Sequence, residues 1–428
     1  MSTKFDNLAT QIQKPISGSD FGDSNGSVNR TGLAQQMGSI GFLVVLAASV
    51  VYAIATGNGD LVLVISAIAA MIMLHELGHL IVAKACGMDV TEYFVGFGPR
   101  LWSIRWKGTE YGVKAILAGG YVKIPGMSNL EEVDESREGA TYRQGSFPRK
   151  LAVVSAGSAV HFILALSILW GLFSFVGMPS SNQVNVGGWS ARPGGADPAR
   201  SAGLKVGDIF VSIDNRSTTS FNVISSLLAR NGNKPLNVVV TRSGEKIEKT
   251  VNPLFWQGKW RIGISVGTPS VVSGPLVAVP KSFQWFGSYV SIAAGTLGHT
   301  LSSTWDALTN PSVKANSPTN ESRAMSILGA TRLATQAAQS GVQPLLLILV
   351  MLNIFIGIFN LLPLPILDGG HAAVAIYERI RSKRSSIRYH ADYSKMIPLM
   401  YLMFTVLVLL GGSLIYLDIV KPISPPFK

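Results

Sequence analysis

The sequence predicts a polytopic α-helical membrane protein with about five transmembrane helices, a membrane-associated β segment and a separate β-rich module outside the cytoplasm. Three observations predict it. Of the 428 residues, 47% are hydrophobic and only 14% charged, against about 25% charged in an average soluble domain. Five apolar runs, 39–56, 61–85, 151–177, 344–362 and 397–418, approach or exceed the roughly 20 residues a helix needs to cross hydrocarbon. Finally, the stretch 184–268 breaks into short β-type runs separated by turn signals.

Residues 1–38 are polar, rich in Gly, Ser and Asn, and read as a disordered cytoplasmic tail. The run 39–56 reads as an extra N-terminal helix. Its Ala53-Ile54-Ala55 could mimic a signal-peptidase site, but the run is long for a signal sequence and a second one starts at Leu61. Segments 61–177 and 344–420 then form two parts of one membrane core. Between them lie the module 184–268 and a region 269–343 read as amphipathic helix and linker. Its run 275–305 holds Lys281, Gln284 and His299, which suits an interfacial helix better than a span. TNPSVKANSPTNES reads as polar linker. In the module, DIFVSID, LNVVVTR, IEKTVNP and WRIGISV read as strands and FNVISSLLAR as one helix, a pattern for a small half-open barrel.

The formal net charge is +12. In a membrane protein excess Lys and Arg set orientation, so nucleic acid is not an expected partner; the lipid bilayer is. The densest basic cluster, ERIRSKRSSIRYHADYSK at 378–395, places that loop in the cytoplasm. Counting back through the spans puts 86–150 in the cytoplasm and 178–343 outside. The basic residues in and beside 86–150, Arg100, Arg105, Lys107, Lys114 and Lys123 among them, agree. The single cysteine, Cys86, allows no internal disulfide.

The second apolar run contains MIMLHELGHLIVAKA, with His75, Glu76 and His79 in its middle. On a helix, positions i and i+4 share a face. Two imidazoles can then reach one metal ion, and the adjacent Glu76 can hold and deprotonate a water. The plain alternative is a helix whose polar residues face a protein interior. At membrane depth such groups cost several kcal/mol and mark functional sites by default. A catalytic zinc takes three protein ligands, so a third must come from elsewhere: His161, Asn353, Asn360 and Asp368 are the polar candidates in the other spans. Asp368 fits best. It ends NLLPLPILDGGH (360–371), where Pro363 and Pro365 break the helix. Irregular backbone at that depth is tolerated only where it lines a cavity or is buried in protein. Gly369 and Gly370 are expected to let the chain turn sharply. The alternative is a plain helix end with a cytoplasmic Asp.

HELGH in one helix and NLLPLPILDG in a later one resemble the two signatures of the bacterial site-2 protease family, intramembrane zinc metalloproteases with a PDZ domain. FVGFGPRLW (94–102) and YGVKAILAGGYVKIPGM (111–127) resemble the family's β segment, and GADPARSAGLKVGDIFVSIDN (195–215) resembles a bacterial PDZ domain. The likeness covers roughly 61–410 in the family's order. It implies one catalytic zinc held by His75, His79 and Asp368, with Glu76 as general base. It also implies that Asn360 holds the substrate backbone, and that the β segment, through Gly96, Phe97, Gly98, Gly119, Gly120 and Tyr121, pairs with an extended substrate. A multi-pass protein of the bacterial cytoplasmic membrane is implied, with the site near the cytoplasmic side and the PDZ domain extracytoplasmic. Its substrates would be single-span proteins such as anti-sigma factors or signal-peptide remnants, cut in regulated intramembrane proteolysis. The PDZ domain would gate access, by binding a hydrophobic C-terminus or by filtering size.

The sequence departs from the family in the extra helix, in Leu117 where many members have Pro, and in Ser158 and His161. His161 reads as a packed or hydrogen-bonded helix histidine and stays off the ligand set; the alternative is that it lines the site. Two other functions remain open: a membrane-anchored metalloprotease of soluble or misfolded proteins, and a non-enzymatic PDZ scaffold.

Overall fold

The computed structural model describes residues 47–127, 131–180, 182–190, 197–218, 220–256, 258–310, 312–314, 317, 322–383 and 389–423. The tail 1–38 and the start of the run 39–56 lie outside these residues; 47–55 is helical. Helix α1 (Gly59–Ala85) carries Asp60 in its first turn and Lys84 in its last, the polarity the helix dipole favours. A two-strand segment follows, β1 (Glu92–Trp106) and β2 (Thr109–Lys123). Lys107 and Gly108, both at positive φ, make the tight turn between them.

Both strands are bent. Gly96 and Gly98, at φ +88° and +80°, fold β1, and Gly119, at φ +153°, folds β2. Residues 100–106 pair with 109–114, 92–95 run beside 110–113 in the same sense, and 120–123 pair back on 92–95. The result is a four-segment sheet with 120–123 at one edge. The Tyr93 hydroxyl donates to the Met73 carbonyl at 2.8 Å and ties this sheet to α1.

Helix α2 (Phe147–Gly171) starts with Pro148 in its first turn, where a missing N–H costs nothing, and ends in a π turn, Leu172–Val176. It packs closely on α1 at Gly78, where a Cβ would lie 2.7 Å from Val160 Cγ2 and 3.0 Å from the Ala156 carbonyl oxygen. Small residues at such crossings let membrane helices approach.

The module 184–268 is an antiparallel sheet over one helix. Strands β3 (Asn185–Trp189), β4 (Ile209–Ile213), β5 (Leu236–Arg242), β6 (Glu245–Val251) and β7 (Ile264–Gly267) lie in the order β7-β3-β4-β5-β6. Helix α3 (Phe221–Asn231) is capped by Ser220, whose hydroxyl accepts from the Val223 amide. Val186, Phe210, Ile213, Ile224, Leu236, Val238 and Val240 fill the core. Inside it, the almost fully buried Asp208 accepts two bonds of 2.7 Å from the Arg242 guanidinium and one of 2.8 Å from the Lys205 amide. Burial works to raise the Asp208 carboxyl, but these donors hold it below its ordinary value of 3.8.

In the region 269–343, α4 (Pro275–Thr309) is one 35-residue helix over the run read as a helix at 275–305, and α5 (Ile327–Ser340) is a second helix that the sequence reading did not single out. On α4, Trp285, Phe286 and Tyr289 pack against Ala165 and Leu169 of α2. The α5 signal was present in the sequence, as Ser326, the N-cap, followed by Ile327, Ala330, Ala334 and Ala337 at helical spacing. Part of TNPSVKANSPTNES lies outside the described residues.

Helix α6 (Val342–Asn360) breaks at the prolines, and α7 (Asp368–Lys383) begins at Asp368 itself. Gly369 and Gly370 therefore start a helix instead of turning the chain sharply. Their role is close approach: a Cβ at either would lie 2.2 Å from a carbonyl oxygen, of Leu362 or Leu364. A buried ion pair between Lys150 and Glu378, at 2.7 Å, fastens α7 to α2. Helix α8 (Ile397–Val420) closes the fold. Among the described residues four helices are long and apolar enough to cross a membrane: α1, α2 with its π turn, α6, and α8 with the turn before it.

The Asp208 network sets a pH dependence. A carboxyl lowered in the folded state contributes stability above its ordinary value and loses it as pH falls through the lower, folded value. Acid titration followed by protease protection of the module is expected to show loss beginning below about pH 4, with the Asp208-dependent part of that slope absent in Asp208→Asn. Arg242→Ala is expected to destabilise the module at neutral pH, read as a lower urea midpoint.

Candidate active site

Helix geometry brings His75 and His79 to one face of α1, and the break after α6 delivers Asp368 against them. The two Nε2 atoms are 3.2 Å apart, and Asp368 Oδ2 lies 3.3 Å from each. A tetrahedral zinc with bonds of about 2.0–2.1 Å separates neighbouring ligand atoms by about 3.3–3.4 Å. The triangle thus has the edge a zinc ion requires. It is the one group of three His, Cys, Asp or Glu residues among those described that could hold a metal.

The surroundings fit an ion too. His75 and His79 are 8% and 6% exposed, and Asp368 Oδ2 is a buried oxygen without a hydrogen-bond partner. His79 donates from Nδ1 to the Val153 carbonyl at 2.7 Å, which leaves the Nε2 lone pair facing the triangle. Gly157 of α2 makes room for the rings. A Cβ there would lie 2.3 Å from His75 Cε1 and 2.5 Å from both Nε2 atoms.

Glu76, half-buried beside the triad, faces the edge segment 120–123. The Val122 backbone amide is aimed at its carboxylate, and a Cβ on Gly120 would lie 3.5 Å from Glu76 Cγ. The other hairpin residues expected at the site divide. Tyr121 stacks between Phe94 and Phe97, at 5.8 and 6.1 Å. Its hydroxyl accepts from Lys114 Nζ at 2.7 Å and donates to Glu92. Burial, then the Glu92 carboxylate, push that hydroxyl above its ordinary value, so it stays a neutral donor. Gly96, Gly98 and Gly119 shape the bends, and Phe97 is half-exposed over Gly119. Asn360 closes α6 where the chain breaks toward Asp368; among the described contacts none joins it to the triad.

His161, kept off the ligand set, is not one of the three, but its ring lies 5.1 Å from that of His75 and is hydrogen-bonded to Asn353 at 2.9 Å. Both sequence readings of it hold in part. Gly157 was missed altogether, because nothing about a glycine in an apolar helix announces which rings it admits.

The model for "Peptidase family M50" matches residues 63–405. The chain belongs to this family, the site-2 proteases. Zinc metalloprotease Rip1 of Mycobacterium bovis is 31% identical over 404 residues, covering 85% of this chain and 98% of its own. Rip1 of Mycolicibacterium smegmatis is 30% identical over 405 residues, with the same coverage. This M50 peptidase is therefore a membrane zinc metalloprotease, and zinc is its catalytic metal.

Gly157→Ala is expected to displace both imidazoles. Zinc content of the purified variant, by elemental analysis, should fall well below one per chain, and proteolysis by about 100-fold or more, while the helices remain folded by circular dichroism.

Proposed function

We propose that this chain is an intramembrane zinc endopeptidase that cuts the membrane span of single-span substrates. The observation that carries the reading is the 3.2–3.3 Å triangle of ligand atoms on membrane-length helices, with Glu76 and an open strand edge beside it. His75, His79 and Asp368 hold the ion, with one position left for water or substrate. When bound, zinc supplies Lewis-acid polarisation of the scissile carbonyl and acidification of water. Glu76 takes the proton of the attacking water and passes it to the leaving nitrogen.

A helical peptide bond is shielded and its carbonyl already bonded, so the substrate must unwind first. The edge around Gly120–Val122 pairs with the freed backbone as an added strand, Phe97 and Tyr121 flank it, and Asn360 holds the substrate main chain. The module 184–268 is a PDZ-like domain on the extracytoplasmic side that gates substrate access. The active site opens toward the cytoplasm, and the reaction belongs to regulated intramembrane proteolysis of anti-sigma factors or signal-peptide remnants. The ligand triangle carried on membrane-length helices favours this over cleavage of soluble proteins.

Two measurements test the reading. Glu76→Gln should retain about one zinc per chain and lose cleavage by at least about 1,000-fold; full activity sinks the mechanism. Mass-spectrometric mapping of a product terminus should place the cut inside a membrane span. A cut confined to soluble loops favours the anchored protease of misfolded proteins instead.

A further inference from the structure

One imidazole nitrogen of the metal centre is left without a partner. His79 is oriented by its Nδ1 bond to Val153, but Nδ1 of His75 is buried and bonded to nothing. An imidazole that offers Nε2 to a metal carries its hydrogen on Nδ1, and in metal sites that N–H is almost always given to an acceptor that fixes the ring. The ring packed beside His75 from α2 is His161, 1% exposed, with centroids 5.1 Å apart and planes inclined at 41°.

The hydrogen on His161 can be assigned from its neighbours. Asn353, fully buried on α6, donates from Nδ2 to the Leu349 carbonyl at 2.8 Å. A carbonyl only accepts, so the amide orientation is fixed and Oδ1 faces His161. That oxygen also only accepts, so His161 Nδ1, 2.9 Å away, bears the hydrogen. In the neutral ring Nε2 is then a bare lone pair.

We propose that His161 is the positioning residue for His75: its Nε2 accepts the Nδ1 hydrogen of His75 in the metal-loaded protein. The chain Leu349–Asn353–His161–His75 then does for one imidazole what Val153 does for the other. It also joins α6, which leads to Asp368, to a ligand on α1 through a side chain on α2. The proposal rests on His75 being a ligand, as argued above. The rival acceptor is Ser158 on the same helix, whose Oγ is likewise buried without a partner.

The test uses the full chain in detergent, stripped of metal. Zinc affinity is read by competition with a chromophoric chelator, and site geometry by the absorption bands of bound cobalt(II). His161→Phe, which keeps a ring but no acceptor, and Asn353→Leu, which frees the tautomer, should each weaken zinc binding about 10- to 100-fold and shift the cobalt bands. His161→Gln, whose amide oxygen can accept, should stay within about threefold of the parent, and Ser158→Ala should match it. Wild-type affinity and bands in His161→Phe overturn the proposal, as does a loss confined to Ser158→Ala. If His161→Phe does not fold, Asn353→Leu against His161→Gln decides the matter in the same way. His75→Ala is read alongside; zinc binding unchanged there overturns the ligand assignment itself and is thereby distinguished.

Discussion

Two imidazoles and two carboxylates lie together among helices apolar enough to span a membrane, and hydrocarbon gives such groups no hydration. The fold answers this constraint at every side of the cluster. The three ligand atoms are spaced to share one cation. Val153 takes one imidazole N–H, the Val122 amide faces Glu76, and Gly157 gives up its side chain so that the rings fit. The helix crossing at Gly78 and the break before Asp368 serve the same end, bringing α1, α2 and α7 close enough for distances near 3.3 Å.

The hairpin extends the argument to backbone. Its glycines at positive φ bend two long strands into four short segments, and the segment that ends as an edge is the one beside Glu76. An unpaired edge is ordinarily a liability. Under the proposed mechanism it sits next to the group that would meet an unwound peptide. The link from Tyr93 to α1 keeps edge and base in fixed relation.

Much of this was legible in the sequence, for identifiable reasons. The HELGH spacing works through helix periodicity alone, so its geometry follows from four residues' separation. LPILDG could be read because prolines and an acid at membrane depth have few structural excuses. The module's strands announced themselves by alternation and paired turn residues. What stayed hidden depends on partners far away in sequence. Gly157 matters through rings on another helix, and His161 through an amide 192 positions later. Gly369 and Gly370 suggested a turn, but close approach of the preceding loop decides their role. Helix α4 could be expected from its run of apolar residues, but not that Trp285 and Tyr289 pack on α2, which no local propensity encodes. The family's β segment could be recognised, but its folding into four segments depends on pairing between non-neighbouring stretches.

The metal triad is split across the chain: His79 and Asp368 are 289 positions apart. During synthesis the first two ligands are complete and membrane-inserted while the module, α4, α5 and α6 are still to be made. A partly synthesised chain therefore has no third ligand and no finished centre. A chain threaded into the bilayer helix by helix thus has no complete set of candidate zinc ligands until α7 is made. The order of the residues along the chain acts as a safety catch.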